Sequence, residues 1–197
     1  MFDIDLTLIN SNEYKNRTLN ALATYTHKST KEVEIIREQY LRSLATSKDF
    51  HPKELAKWMS MALGNNSDNI YELIWNKKIL VGLCYDDVEE VLVKLGKNNT
   101  LGIYSEGFED LQKLKLEANN LLKYFDPKWV YITRRKLGDV RLHTLGKVTV
   151  VDDNYKICEV LKDYEDVDVY WLNRKSNKKG KGVKTIKSLT EITNETA

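Results

Sequence analysis

The sequence holds no apolar run long enough to cross a membrane. Its longest, near Ile79 to Cys84, falls far short of the roughly 20 residues that a spanning helix needs, and no basic-then-apolar leader precedes it. A soluble, cytoplasmic protein without a membrane partner is expected. Cysteine is as scarce as proline, two of each in 197 residues. Cys84 and Cys158 lie in no CxxC or Cys/His spacing, so neither a disulfide framework nor a zinc site is indicated, and both read as small buried hydrophobes. Net charge is also lacking: 31 basic and 29 acidic residues leave +2, too little to draw the whole molecule to nucleic acid. The one basic run, Arg174, Lys175, Lys178, Lys179, Lys181, Lys184 and Lys187, has no aromatic residues for base stacking and reads as a solvated loop and tail. No internal repeat is present. What remains, 42% apolar and 30% charged residues, is the composition of a globular chain with a substantial core.

Three rhythms follow one another along the chain. Met1 to Asn10 reads as the end of a buried strand entering a loop, with Phe2, Ile4, Leu6 and Leu8 alternating with Asp3, Asp5 and Thr7. Only Met1 and Phe2 precede Asp3, so this first strand is expected to be shorter than a central strand usually is. From about Asn12 to Leu83 the periodicity is helical. Ser29 and Glu32 have capping-box spacing ahead of Val33, Ile36, Tyr40 and Leu44. Pro52 suits a helix first turn that continues through Leu55, Trp58 and Met59 to Gly64, and Ile70, Leu73 and Ile74 give one more apolar face. With a first helix near Tyr14 to Tyr25, this makes a bundle of roughly four helices. Tyr14, Tyr25, Tyr40 and Trp58 are expected mostly in its core. After Asp86, helices and strands alternate as in βαβ units: strands at Thr100–Tyr104, Trp129–Ile132, Lys147–Val151 and Val167–Trp171, with helices at about Asp87–Gly96, Phe108–Tyr124 and Asn154–Asp163. The expected fold is α/β, a Rossmann-like doubly wound parallel sheet made of residues 1–11 and 84–197, with an all-α unit inserted at 12–83.

In such a sheet, ligands sit beyond the carboxyl ends of the strands. Four apolar segments here end in polar residues: Asp3 and Asp5; Ser105; the cations Arg134, Arg135 and Lys136; and Asp152 with Asp153. Carboxylates, a hydroxyl and cations at one sheet edge suit a divalent cation together with a phosphate group. Each has a plainer reading. Ser105 and the Asp152–Asp153 pair could cap the helices that follow, the cations could form structural ion pairs, and His27, His51 and His143 lack ligand or triad spacing and read as surface or cap residues.

The segment Phe2-Asp3-Ile4-Asp5-Leu6-Thr7-Leu8 resembles the first motif, DxDxT, of the haloacid dehalogenase-like (HAD) superfamily of hydrolases. Leu101 to Ser105 is similar to the second motif, Lys136 to the basic third, and Val148 to Asp153 to the acidic fourth, with the helical segment where that family inserts a cap. The resemblance implies that Asp3 is a nucleophile forming a phosphoaspartyl intermediate and that Asp5 is the acid and then the base. It further implies that Thr7 orients the loop and belongs with Ser105 and Lys136 to the phosphate-binding set. Mg²⁺ would be held by Asp3, Asp5 through its carbonyl, and Asp153, with Asp152 in support. Family dehalogenases lack an acid at the position of Asp5, which favours a phosphatase acting on a small phosphorylated metabolite such as a nucleotide or sugar phosphate. A phosphomutase and a non-catalytic binding protein remain alternatives, and Arg134 or Arg135 could take the place of Lys136.

Overall fold

A computed structural model describes residues 1–46 and 49–195 and, at 140, 143 and 193–195, the main chain only. Its helical part begins with α1 (Ser11–Thr26) and α2 (Thr30–Ser43), followed by α3 (Pro52–Leu63), α4 (Ser67–Ile74) and the single turn α5 (Lys77–Leu80). Local chemistry fixes their ends. Ser29 and Glu32 form the expected capping box, each side chain bonding the other's backbone N–H, which satisfies donors that a helix start leaves open. Pro52 starts α3, and Gly64, at φ 70°, ends it in the left-handed region that costs glycine nothing. These helices enclose their own apolar core of Leu19, Leu22, Val33, Tyr40, Leu55, Met59, Ile70 and Ile74. Trp58, expected inside, is 38% exposed, because the apolar stripe of α3 centres on Leu55 and Met59 instead.

The rest of the chain holds α6 (Val88–Leu95), β1 (Ile103–Glu106), α7 (Glu109–Ala118), β2 (Val130–Thr133), β3 (Val148–Asp152), α8 (Tyr155–Leu161), β4 (Val167–Leu172), β5 (Lys184–Ile186) and α9 (Thr190–Glu195). All strand pairs are parallel: β1 with β2, β3 with β4, and β4 with β5. The first residues join the two groups of strands. Phe2 N–H donates to Gly102 O and Tyr104 N–H to Phe2 O, both at 2.9 Å, while Asp3 N–H donates to Val151 O at 2.9 Å and Val151 N–H to Met1 O at 3.0 Å. Phe2 thus bridges Ile103 and Val151 in parallel, and the order across the sheet is β2, β1, Met1–Asp3, β3, β4, β5. Short as it is, the first segment occupies the sheet's centre and is paired on both sides. Gly102 permits the close approach: a Cβ there would lie 2.6 Å from Trp129 O and 2.8 Å from Trp129 Cβ.

Two expectations along this half need correction. The helix expected over Phe108–Tyr124 ends at Ala118, because Asn120 turns the chain through the left-handed region at φ 54°. The basic run is not all solvated. Arg174 makes a two-pronged ion pair with Asp87 at 2.8 and 2.9 Å, donates to Thr7 O at 3.1 Å and lies 4.1 Å from the centre of the Tyr85 ring. Lys184 belongs to β5, a strand too short and too polar to show in the sequence. Cys158 is buried and Cys84 half-buried, both as free thiols. No helix of the described residues is long and apolar enough to span a membrane.

Candidate active site

The parallel register carries the four polar strand ends to one edge. Asp3 follows the segment bridged by Phe2, Ser105 lies within β1, and Asp152 closes β3. Lys136 comes from the turn after β2, with its backbone N–H donating to the Glu106 carboxylate at 3.1 Å. Its Nζ bridges two carboxylates, at 2.8 Å from Asp3 and 2.5 Å from Asp152, and Ser105 Oγ donates to Asp3 at 3.1 Å. Of the three adjacent cations, Lys136 alone enters this cluster. Arg134 donates to Phe50 O at 2.7 Å and stacks over Phe108, while Arg135 pairs with Asp49 at 2.6 Å. Both therefore reach across to the helical unit, where His51 and Trp75 also meet Phe108 at ring distances of 4.6 and 6.0 Å.

Carboxylate oxygens of Asp3, Asp152 and Asp153 lie within 4.8 Å of one another. Burial pushes the Asp3 carboxyl up to about 8; Lys136 opposes that shift, whereas Asp152 and Asp5 add to it. Asp153 rises to about 7, through burial first and then Asp152. Burial also works against the charge on Lys136, but Asp3 and Asp152 raise its pKa above the ordinary lysine value. One buried cation thus bridges two carboxylates with a third beside them, an excess of negative charge that a bound cation would relieve. Hard oxygen donors of this kind suit Mg²⁺, so the residues fit that ion.

Asp5 lies two residues on, held by groups that no sequence motif announces. Lys115 Nζ lies 2.5 Å from one of its oxygens and Gln112 Nε2 donates to the other at 2.7 Å, with Ser11 Oγ a third donor. Burial opposes the Asp5 charge, yet Lys115, Ser11 and Gln112 together hold its pKa below the usual carboxylate value. Gln112 and Lys115 are 1% and 5% exposed, three residues apart on one face of α7. Two long polar residues amid the buried positions Leu111 and Leu116 are the signal that the sequence offered for them.

Other expected residues stand elsewhere. Thr7 is fully buried, and its hydroxyl has no partner among the described residues; it is not among the residues lining the cavity over Asp3. Ser105 is not the helix cap considered for it, since α7 starts at Glu109 after Phe108. Asn154 caps α8, and Asp152 supports the turn by accepting from Asn154 N–H at 2.8 Å. His27 ends α1 in a left-handed conformation, and His51 Nδ1 caps α3; the side chain of His143 lies outside the described residues. Leu6, between Asp5 and Thr7, has φ 58°, a strained conformation for leucine that turns the loop sharply after Asp5.

The cluster lies in a cavity of about 500 Å³ between the sheet edge and the helical unit, to which Asp3, Asp5, Lys136, Asp152 and Asp153 contribute. The family model for haloacid dehalogenase-like hydrolases matches residues 1–134. The chain belongs to this hydrolase family. No curated protein sequence matches it. Solved HAD-like structures share its fold. A HAD phosphatase from Thermococcus onnurineus is 21% identical, covers 100% of this chain and 96% of its own, and superposes with a TM-score of 0.67. The HAD-hydrolase YfnB from Bacillus subtilis, bound to magnesium, is 13% identical over 98% and 96% with a TM-score of 0.68. The L-2-haloacid dehalogenase from Xanthobacter autotrophicus is 13% identical over 99% and 96% with a TM-score of 0.67. The helical unit, inserted between the first two motifs, is the cap of this HAD-like hydrolase.

Proposed function

We propose that the protein is a Mg²⁺-dependent phosphatase that hydrolyses a small phosphorylated metabolite through a phosphoaspartyl intermediate. The carboxylate triangle of Asp3, Asp152 and Asp153 at a cavity wall, with Lys136 bridging Asp3 and Asp152, carries this reading. Asp3, Asp153 and the Asp5 carbonyl would hold Mg²⁺, with Asp152 in support. When bound, the ion offsets the repulsion between the attacking carboxylate and the phosphate dianion.

The chain's own groups supply the rest. Asp3 attacks phosphorus in line, and the bond from phosphorus to the leaving oxygen breaks. Ser105 Oγ and Lys136 Nζ, both already on Asp3, hold phosphate oxygens next to it. Asp5 protonates the leaving oxygen, then takes a proton from the water that attacks the phosphoaspartate. Its donors Lys115, Gln112 and Ser11 favour its ionised form, the form that takes a proton from water. The proton it gives the leaving oxygen is the one that water supplied in the previous turnover. Thr7 contributes through its loop, whose backbone Arg174 holds at Thr7 O. The presence of Asp5 favours a phosphate ester over a haloacid, because a departing alkoxide needs a proton and a departing halide does not.

Turnover of a generic aryl phosphate with and without Mg²⁺, by the wild-type chain and by Asp3→Asn, tests this function. Metal-dependent release should fall by at least about a thousandfold in the variant, or about 4 kcal/mol in the barrier. Folded protein that releases no phosphate, or equal release by the variant, refutes it.

A further inference from the structure

The cavity is larger than a phosphate group requires. At about 500 Å³ it falls in the range that holds an organic ligand of some size. Apart from its charged groups its lining is mainly apolar, with Leu41, Phe50, Leu55, Ile74, Phe108 and Leu111 among its residues. Arg37, on α2 of the cap, interrupts that lining. The other cations of the cavity are engaged. Lys15 pairs with Glu34 at 2.6 Å, Lys115 with Asp5, Arg134 with Phe50 O, and Lys136 with Asp3 and Asp152. Arg37 makes no hydrogen bond or ion pair among the described residues. The carboxylates closest to it on its own helix are already taken, Glu34 by Lys15 and Glu38 by Arg42 at 3.2 Å. The nearby Tyr14 hydroxyl donates to Ile74 O at 2.8 Å. Arg37 is half-buried, and burial lowers its pKa. Desolvating a guanidinium beside an apolar wall without a partner is costly, and its planar set of donors matches an oxyanion.

We propose that Arg37 binds a second oxyanion, a carboxylate or a further phosphate, carried on the apolar leaving group of the phosphate ester. The substrates are then organic phosphates anchored at both ends, by the carboxylate cluster with its metal and by the cap. That the ligand is a substrate rests on the phosphatase reading, whereas the subsite itself does not.

Calorimetric titration of the full chain in Mg²⁺ with benzylphosphonate, 4-carboxybenzylphosphonate and xylylene bisphosphonate tests the subsite without turnover. The wild type should bind at least one of the doubly anionic probes about tenfold or more tightly than benzylphosphonate, and the favoured probe tells carboxylate from phosphate. Arg37→Gln should bring the probes within about threefold of one another. Arg37→Lys, which keeps the charge and guards against a folding defect, should retain part of the preference. Equal wild-type affinities, no binding of any probe, or a preference that survives Arg37→Gln overturns the proposal. Preference for two anions in a protein that releases no phosphate from an aryl ester would sink the phosphatase reading alone; turnover without preference would sink the subsite alone.

Discussion

Exchanging Lys136 for methionine isolates the electrostatics of the carboxylate cluster. Methionine keeps the unbranched stem and most of the volume, so the loss is mainly charge. Lys136 is 2% exposed, and its two partners, Asp3 and Asp152, are 9% and 2% exposed at their side chains. Water therefore offers these carboxylates little compensation. Removing one member of a buried ion pair costs about 3–5 kcal/mol, and for a chain of this size each kcal/mol lowers Tm by about 2–4 °C. The variant should melt about 6–20 °C below the wild type, with a matching deficit in urea. Mg²⁺ at a hundred times its Kd adds about 2.7 kcal/mol to any state that binds it, so the ion should stabilise the folded variant markedly. Urea titrations of both proteins, with Mg²⁺ and with chelator, measure these effects. A deficit below about 1 kcal/mol, or a variant whose midpoint ignores Mg²⁺, would show that the cluster does not hold the buried charge described.

Two further outcomes are expected. Gly102→Ala should destabilise by about 1–3 kcal/mol, since the added carbon meets the Trp129 backbone and side chain at 2.6 and 2.8 Å; a urea midpoint equal to the wild type's would refute the close approach. For Asp87, burial opposes the charge, but Arg174, Ser188 Oγ and Leu189 N–H hold its pKa below the ordinary value. A lowered folded pKa means stability that is full above the unfolded value of about 3.9 and is lost as pH falls through the folded one. Asp87→Asn should therefore cost about 1–3 kcal/mol at pH 7, with the difference shrinking below about pH 4; an equal deficit across that range would exclude the ion pair as its source.

Strand-end chemistry was the most legible part of the sequence, because alternation in apolar segments marks where each strand stops and which polar residue comes next. Asp3, Ser105, Lys136 and Asp152 converge for that reason. The adjacency of Arg134, Arg135 and Lys136 left the cation open, and only the turn after β2 separates one that points to the carboxylate cluster from two that reach the cap. Gln112 and Lys115 were hidden because a polar residue on a helix ordinarily reads as solvated, and their burial depends on Asp5 arriving from over 100 residues away. Arg37 and Arg174 were hidden likewise: their surroundings come from packing, and no local spacing encodes them. The cap helices were legible through their ends, the capping box and Pro52, whereas the exposure of Trp58 depended on which stripe of α3 met its neighbours.

Phe2 finds its two partners about 100 and about 150 residues later in the chain, at Ile103 and Val151. Pairings so distant along the sequence carry a large loop-closure cost and slow folding. On a growing polypeptide, at about 5–20 residues per second, the second partner follows Phe2 by about 7–30 s. The segment carrying Asp3 therefore lacks both strand partners while the cap, made of contacts between near neighbours, has time to form. The carboxylate cluster is complete only when β3 has been made, so a nascent chain carrying every cap residue and Asp3 still lacks Asp152 and Asp153.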